Sequence, residues 1–354
     1  MRRFLLLALA AVLVLTAPAS AQLTPLPGTG ETPEVEVDAT GTAFVAWYLQ
    51  TDAGEALALC RIPSRTRACP APQILDATQG ATSGVQPPVL RIDGPNVALV
   101  AARSIVVALL SGDGGATFGP QVPISEGTYF SGAIAANGSV GLGFSSRFTH
   151  ATLSGPLETR SVDVNSGFGA FEAVGFDGVR PVYVSGGRAP RTAVSAWTGR
   201  GDIFDRSTWT RRGGPAMVYY DLANGPRGLW LVHERRRGLD DDVVVRRWRR
   251  GRFGPAVTVP GSAGNVIGTA IAQDAKGRFA VAWYDSRGDR IRIAASRDGR
   301  RWSRARTLGR VAGIPSTMSI GLGPDGRGLV VTDQGLVSRS LLVGSVDVRR
   351  LTRR

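Results

Sequence analysis

Apolar residues recur in short runs along the chain, and each run is bounded by residues that favour tight turns. The same pattern surrounds Gly41 and Gly277: each glycine lies three residues after an aspartate and six residues before a tryptophan, Trp47 or Trp283. The residues on both sides of each turn alternate between apolar and polar or are continuously apolar. Such runs predict β-strands that are joined by the turn as a hairpin.

Five more glycines continue this pattern, each directly after an aspartate or asparagine: Gly94, Gly138, Gly178, Gly225 and Gly326. Neighbouring glycines are 40 to 53 residues apart, and an Asx-Gly pair supplies the positive φ angles of a tight hairpin. A second hairpin follows the first, for example from 290–296 to 302–308. The chain therefore predicts an all-β fold, a β-propeller of four-stranded antiparallel blades, with seven blades and six as the alternative.

The last repeat lacks a fourth strand of its own. Its third strand is predicted at 341–348, and an arginine-rich tail follows. Residues 22–27 resemble the fourth strand of repeat five at 256–260. We therefore expect the N-terminal strand to close the last blade, which protects sheet edges that would otherwise be open.

Residues 1–21 have the pattern of a signal peptide: a basic start, an apolar run at 4–15 and small residues at 19–21. The apolar run is too short to span a bilayer. We expect a cleaved signal peptide, a secreted protein without a membrane span, and one monomeric propeller domain at 22–354. In an exported chain, Cys60 and Cys69 are expected to pair as a disulfide across a hairpin of repeat one.

The chain is strongly basic, with a formal net charge of +14, and Lys276 is its only lysine. A basic surface favours anionic partners, and arginine suits phosphate and carboxylate groups. Arginines concentrate at equivalent predicted turns of repeats five and six, where the candidates for a polyanion patch are Arg247, Arg249, Arg300 and Arg301. We expect a glycan or an anionic envelope polymer as partner and no specific nucleic acid; the alternative is a merely solvated rim.

The opposite face of the predicted ring carries the loops in which propellers usually bind ligands. The ligand-binding candidates there are Tyr48, Asp52, Arg103, His233, Glu234, Tyr284, Asp285 and Arg287. They suit a polar or sugar-like ligand, although loop tips are commonly polar in any case. His150 and His233 are too few for a multi-histidine metal site, and no motif predicts a metal or a cofactor.

Two turns resemble the Asp box, or BNR repeat, of the sialidase-like β-propeller superfamily. Their residues are Ser111, Asp113, Gly115 and Phe118 in repeat two, and Ser296, Asp298, Gly299 and Trp302 in repeat six. The resemblance implies a structural role, in which the serine and aspartate side chains bond turn amides and the aromatic ring packs beneath. In that family the Asp boxes lie at the rim opposite the active site.

The same resemblance implies an exo-α-sialidase-type glycoside hydrolase as an alternative function. Such enzymes use an arginine triad, a Tyr–Glu nucleophile pair and an aspartate acid/base. This set cannot be placed completely at the blade positions it requires, so the catalytic residues stay unknown. The leading expectation is a non-enzymatic protein that binds a ligand or partner at the cell envelope.

Overall fold

Short antiparallel strands, joined by tight turns, make up almost all of the chain that is described. The computed structural model describes residues 23–64, 68–76, 87–102, 105–126, 131–135, 139–144, 147–152, 159–163, 171–186, 193–199, 201–216, 220–238, 240–334 and 340–353. The predicted signal peptide, Arg103 and the turn at Gly138 lie outside these residues. No helix in these ranges is both long and apolar enough to cross a membrane.

The strands follow the predicted four-strand repeats. Repeat one contains β1 (Thr24–Val37), β2 (Ala43–Thr51), β3 (Gly54–Ile62) and β4 (Gln73–Asp76). Repeat two contains β5 (Val89–Asp93), β6 (Asn96–Ala102), β7 (Ile105–Ser111) and β8 (Val122–Glu126). Repeat three contains β9 (Ser131–Ile134), β10 (Ser139–Phe144), β11 (Arg147–Thr152) and β12 (Thr159–Asp163). Repeat four contains β13 (Phe171–Asp177), β14 (Arg180–Gly186), β15 (Ala193–Gly199) and β16 (Trp209–Ala216), with a 3-10 turn at Arg206–Thr208.

The remaining repeats continue in the same order. Repeat five contains β17 (Tyr220–Ala223), β18 (Trp230–Arg237), β19 (Asp240–Arg249), β20 (Arg252–Phe253) and β21 (Val257–Thr258). Repeat six contains β22 (Val266–Gln273), β23 (Phe279–Asp285), β24 (Arg290–Ser296) and β25 (Arg306–Arg310). Repeat seven contains β26 (Met318–Leu322), β27 (Arg327–Asp333) and β28 (Ser340–Asp347), followed by the one-turn helix α1 (Val348–Leu351).

Most repeats form a separate sheet, whereas repeats one and seven share one. Repeats two, three, four and six each form a four-stranded sheet, and repeat five adds β21 beside β19. Repeats one and seven form a seven-stranded sheet in the order β26-β27-β28-β1-β2-β3-β4. Strand β1 therefore lies between a strand of the last repeat and a strand of the first.

Strand β1 changes partner along its length. Its first part pairs antiparallel with β28 (Thr24 opposite Val343, Thr29 opposite Ser340), and its second part pairs with β2. The pairing with β2 shifts register between Glu31 and Glu34, where Thr32 adopts a φ of 51°. The N-terminal strand thus supplies the fourth strand of the last repeat, at the place where the sequence predicted a missing one.

The first strand of each repeat contacts the first strand of the next, in the order β1, β5, β9, β13, β17, β22, β26 and back to β1. Side chains on these inner strands also accept hydrogen bonds from backbone N–H groups of the following repeat. The donor–acceptor pairs are Ile92 to Glu36 (2.7 Å), Val174 to Ser131 (3.1 Å), Ile271 to Asp221 (2.9 Å) and Val35 to Ser319 (3.1 Å). Sheets that radiate from a closed ring of inner strands define a β-propeller.

The core lies between neighbouring sheets, since each sheet packs both faces against others. Trp47 is fully buried in a cluster with Val331 and Val343 of the last repeat, and Trp283 is fully buried with Val232 of repeat five. Burial on both faces explains why the second strands are continuously apolar rather than alternating. The repeated tryptophan therefore packs in the core between adjacent sheets.

One predicted turn differs in detail. Gly41, Gly94 and Gly277 have the positive φ expected of a hairpin turn, but in repeat five Gly228 takes this conformation instead of Gly225. The turn there is longer, because the N–H of Gly228 donates to the carbonyl of Gly225 (2.8 Å). Its Asn224 side chain accepts a hydrogen bond from Phe176 of repeat four.

The predicted disulfide between Cys60 and Cys69 is present, with its Cα atoms 5.9 Å apart. It joins β3 to the segment that precedes β4. Closing so short a loop contributes roughly 2–3 kcal/mol to the free energy of unfolding.

Candidate functional site

The two turns that resemble Asp boxes share one hydrogen-bonding pattern. In repeat two, Ser111 Oγ accepts from the N–H of Gly115 (2.8 Å), and Asp113 Oδ1 accepts from the N–H groups of Ala116 and Thr117 (both 2.9 Å). The Thr117 hydroxyl donates to the other carboxylate oxygen at 2.6 Å. Hydrogen bonds from Thr117 and Ser111 hold the pKa of Asp113 well below its usual range.

In repeat six, Ser296 Oγ accepts from the N–H of Gly299 (2.8 Å), and Asp298 Oδ1 accepts from Arg300 (2.8 Å) and Arg301 (3.0 Å). Burial opposes ionisation, yet the amides of Arg301 and Arg300 keep the pKa of Asp298 below its usual range. Trp302 is buried beneath the turn, and its indole N–H donates to the carbonyl of Gly299 (3.1 Å). These side chains are used to hold the turn and are not offered to a ligand.

The predicted ligand face holds fewer exposed side chains than the sequence suggested. Tyr48 is 1% exposed, and its hydroxyl both donates to the carbonyl of Ala102 (3.2 Å) and accepts from its N–H (3.1 Å). Tyr48 thus links repeats one and two within the core. Tyr284 is also 1% exposed, and its hydroxyl donates to Asp289 (2.7 Å). Burial, together with this bond, raises the pKa of Tyr284 to about 12.

His233 and Glu234 are buried as well. His233 Nδ1 lies 2.6 Å from the carbonyl of Glu234, and Arg246 Nε donates to His233 Nε2 (3.1 Å). Burial lowers the pKa of His233 to about 4, and the nearby charges of Arg246 and Arg235 act in the same direction. His233 is therefore neutral at pH 7 and serves as an acceptor for an arginine.

Of the remaining described candidates, Asp285 and Arg287 form ion pairs, and Asp52 lies at a turn. The buried carboxylate of Asp285 accepts from Arg290 (3.1 Å) and lies 3.6 Å from Arg292. The half-exposed Arg287 pairs with Asp240 and so joins repeats five and six. Asp52 is exposed at the turn between β2 and β3. Arg103 lies outside the described residues. Most of the described candidates are buried, so these do not form one exposed cluster.

The predicted basic residues of repeats five and six do approach one another. We define the basic face as Arg247, Arg249, Arg300 and Arg301. The pKa of Arg247 is lowered by its burial and then by the charges of Arg249, Arg227 and Arg300. These shifts need guanidinium groups from both repeats to be close in space.

An aromatic ring joins the two halves of the basic face. The Arg247 guanidinium lies over Trp230, 5.8 Å from the ring centroid. Gly299 of repeat six packs so closely on the same ring that a Cβ atom there would overlap it. Trp230 therefore lies between Arg247 and the turn that carries Arg300.

Trp248, the tryptophan next to Arg247 in the sequence, does not provide this ring. Trp248 is 3% exposed and packs edge-on against Phe253, with ring centroids 4.8 Å apart. Neighbouring residues on a strand point to opposite faces, so Arg247 and Trp248 diverge. The partner is Trp230, directly opposite Arg247 in the β18–β19 pairing.

Arg227 also belongs beside the basic face and was not predicted. Its Nε donates to the carbonyl of Gly277 (2.7 Å) and its Nη2 to the carbonyl of Arg297 (3.5 Å). It lies on the turn between the first two strands of repeat five. Turns between the first and second strands lie on the same face of the propeller as the Asp-box-like turns between the third and fourth strands. Counting the arginines of both kinds of turn would therefore have included Arg227.

The fold is shared with solved structures that have different roles. The chain is similar to the WD40 repeats of RRP9, with 10% identity and a TM-score of 0.61. The match covers 93% of this chain and 99% of that one. It is similar to YCF48 bound to a D1 peptide (15% identity, TM-score 0.55, 95% and 97% covered). It is also similar to the Hadza microbial sialidase Hz136 (12% identity, TM-score 0.50, 92% of this chain and 66% of that one). No protein-family model and no curated protein matches the chain. Likeness at this identity shows the β-propeller fold alone.

Among the described residues, no group of three or more histidine, cysteine, aspartate or glutamate side chains is arranged to hold a metal ion.

Proposed function

We propose that this chain is an exported, monomeric β-propeller of seven blades that binds an anionic polymer through its basic face without catalysing a reaction. Each predicted repeat would form one blade. The order of contacts between inner strands supports this count, because it passes through one strand of every repeat before it returns to β1. The signal-peptide pattern at residues 1–21 supports export, and residues 22–354 would form the mature domain.

The clustering of arginines from two repeats is the observation that carries the proposal. Within the described part of the chain, Arg247, Arg249, Arg300 and Arg301 form no ion pair with a carboxylate. The charge of Asp177 also acts on Arg247, but more weakly than the charges of Arg249, Arg227 and Arg300, so repulsion outweighs it and raises the free energy of the folded state. A bound polyanion, such as heparin or an acidic envelope polymer, would offset that cost. Several exposed arginines would bind it with strong dependence on salt.

Heparin chromatography tests the basic face. We expect the mature chain to be retained, and a variant with Arg247, Arg249, Arg300 and Arg301 changed to Ser to elute at a salt concentration at least about twofold lower, because four cationic contacts are lost. The matched control changes Arg236, Arg237, Arg287 and Arg310 to Ser. These four exposed or half-exposed residues lie at the opposite end of the strands and carry the same total charge. Equal elution of both variants would show that only net charge matters.

A glycoside hydrolase of the sialidase type is the second candidate. The two Asp-box-like turns and the likeness to a sialidase structure favour it. Against it, a tyrosine nucleophile needs an accessible hydroxyl that loses its proton readily. Tyr284 is buried, and its pKa is raised to about 12. Glu234, the glutamate among the ligand-binding candidates, is 5% exposed.

We therefore expect the purified chain to release no sialic acid from a fluorogenic sialoside above a buffer control. The measurement is fluorescence over several hours at pH 5 and pH 7, with an active sialidase as positive control. Turnover that disappears in both Tyr284→Phe and Glu234→Gln, while folding is kept, would refute the non-enzymatic proposal.

A further inference from the structure

A groove of about 910 Å³ lies between the Asp-box-like turn of repeat six and the C-terminal residues. We name it the C-terminal groove. Arg304 and Arg306 follow the turn toward β25, while Leu351, Thr352 and Arg353 line the other side. The charged residues that line it are Arg297, Asp298, Arg301, Arg304, Arg306 and Arg353.

The wall made by the C-terminal residues is fixed to the propeller. Val348 is fully buried, and its N–H donates to the carbonyl of Gly326 (2.8 Å). The Asp347 side chain caps helix α1 by accepting from the N–H of Arg350 (3.1 Å). Arg297 Nε donates to the Thr352 hydroxyl (3.1 Å), so a hydrogen bond joins the two walls. The groove is thus part of the folded structure.

The charge of the C-terminal groove is unbalanced. Five arginines and one aspartate line it, and the aspartate carboxylate already accepts hydrogen bonds from the backbone N–H groups of Arg300 and Arg301. Within the described ranges, none of the five arginines forms an ion pair. The groove therefore has a formal charge of plus four in a space the size of a small-molecule site.

The charge and the volume together restrict the ligand. A phosphate group carries about −1.5 to −2 at neutral pH, so two or three linked phosphates neutralise the groove within a compact volume. A carboxylate ligand would need about four acidic groups to do the same. Arginine also binds phosphate oxygens with paired, directional hydrogen bonds. We propose that the C-terminal groove binds a ligand with two or three linked phosphate groups.

The groove shares Arg301 with the basic face, so this inference rests in part on the proposed function. The two sites otherwise use different residues. Arg304, Arg306 and Arg353 are exposed, and they belong to the groove and not to the basic face. Variants at these three positions therefore test the groove separately.

Titration calorimetry with inorganic tripolyphosphate on residues 22–354, in about 150 mM salt, tests the proposal. We expect tripolyphosphate to bind at one site. Inorganic monophosphate should bind at least about 100-fold more weakly than tripolyphosphate, and citrate at least about tenfold more weakly, because fewer of their charged oxygens reach the arginines. The triple variant Arg304→Ser, Arg306→Ser and Arg353→Ser should weaken tripolyphosphate binding at least about 30-fold. A control with Arg236, Arg237 and Arg310 changed to Ser should bind as the unchanged chain does.

Unchanged tripolyphosphate affinity in the triple variant would overturn the proposal, and citrate binding as tight as tripolyphosphate would overturn the phosphate assignment. Arg353→Ser alone, at an exposed position after the last helix, should weaken binding about threefold to tenfold without affecting folding. A variant with only Arg247 and Arg249 changed to Ser should keep its tripolyphosphate affinity. Heparin retention that does not change in that variant, together with loss of tripolyphosphate binding in the groove variants, would refute binding at the basic face and support the phosphate site in the C-terminal groove.

Discussion

Replacing Leu26 with aspartate is expected to lower the free energy of unfolding by at least about 4 kcal/mol, which is a large part of the total stability of a typical domain. Leu26 lies on the first part of β1 and is 4% exposed. It packs in a cluster with Val343 of β28 and Val45 of β2, where the two ends of the chain meet. A carboxylate there has no partner and would separate the N-terminal strand from the last repeat.

The matched control is Thr24→Asp, because Thr24 is on the same strand with its side chain exposed. We expect it to change stability by less than about 0.5 kcal/mol. Urea unfolding of both variants, followed by tryptophan fluorescence, gives the two free energies. Similar small changes in both would mean that β1 does not hold the ring closed.

Glu34→Gln is expected to stabilise the protein above pH 6.5. Burial raises the pKa of Glu34 to about 8, and the negative charge of Asp221, from another repeat, adds to the effect. Burial likewise raises the pKa of Glu36 to about 7 and that of Asp221 to about 6. Three inner-strand carboxyl groups therefore keep their protons to higher pH in the folded state than in the unfolded chain.

A raised carboxyl pKa means that the folded state binds more protons than the unfolded state. The stability from Glu34 is complete below about pH 4.5 and is lost as the pH rises through about 8. His150 and His233 act in the opposite sense below pH 6.5, because burial lowers the pKa of each. The effect of the carboxyl groups is therefore measured above pH 6.5.

We expect the free energy of unfolding to fall between pH 6.5 and pH 9, and Glu34→Gln to remove at least about 1 kcal/mol of that fall. This value allows for the partial exposure of the Glu34 side chain. The control is Asp52→Asn, which removes the same charge from an exposed turn. A pH profile that is identical in the parent chain and in Glu34→Gln would contradict the assignment.

The repeat and its closure could be predicted because they depend on local signals. An Asx-Gly pair fixes a hairpin turn wherever it occurs, and the missing fourth strand after β28 follows from counting strands. The disulfide between Cys60 and Cys69 is similarly local. The turns and the disulfide need no knowledge of how distant parts of the chain meet, and the closure needs only the strand count.

The site residues were harder to predict because their roles depend on contacts between repeats. Tyr48 and Tyr284 lie near the ends of apolar strands. At such positions the sequence does not show whether a side chain is exposed at a loop or packs against the next sheet. Trp230 and Trp248 differ only in which face of a strand they occupy. Glu34 and Asp221 are far apart in the chain, and only the ring brings their charges together.

The salt dependence of binding to a defined heparin oligosaccharide tests the proposed function most directly. For polyanions such as nucleic acids, each cationic contact adds somewhat under one unit to the slope of log affinity against log salt. Changing Arg247, Arg249, Arg300 and Arg301 to Ser should therefore lower the slope by roughly three units. The opposite-face control, with Arg236, Arg237, Arg287 and Arg310 changed to Ser, should leave it within about half a unit of the parent chain. Equal slopes for the two variants would contradict a specific basic face on repeats five and six.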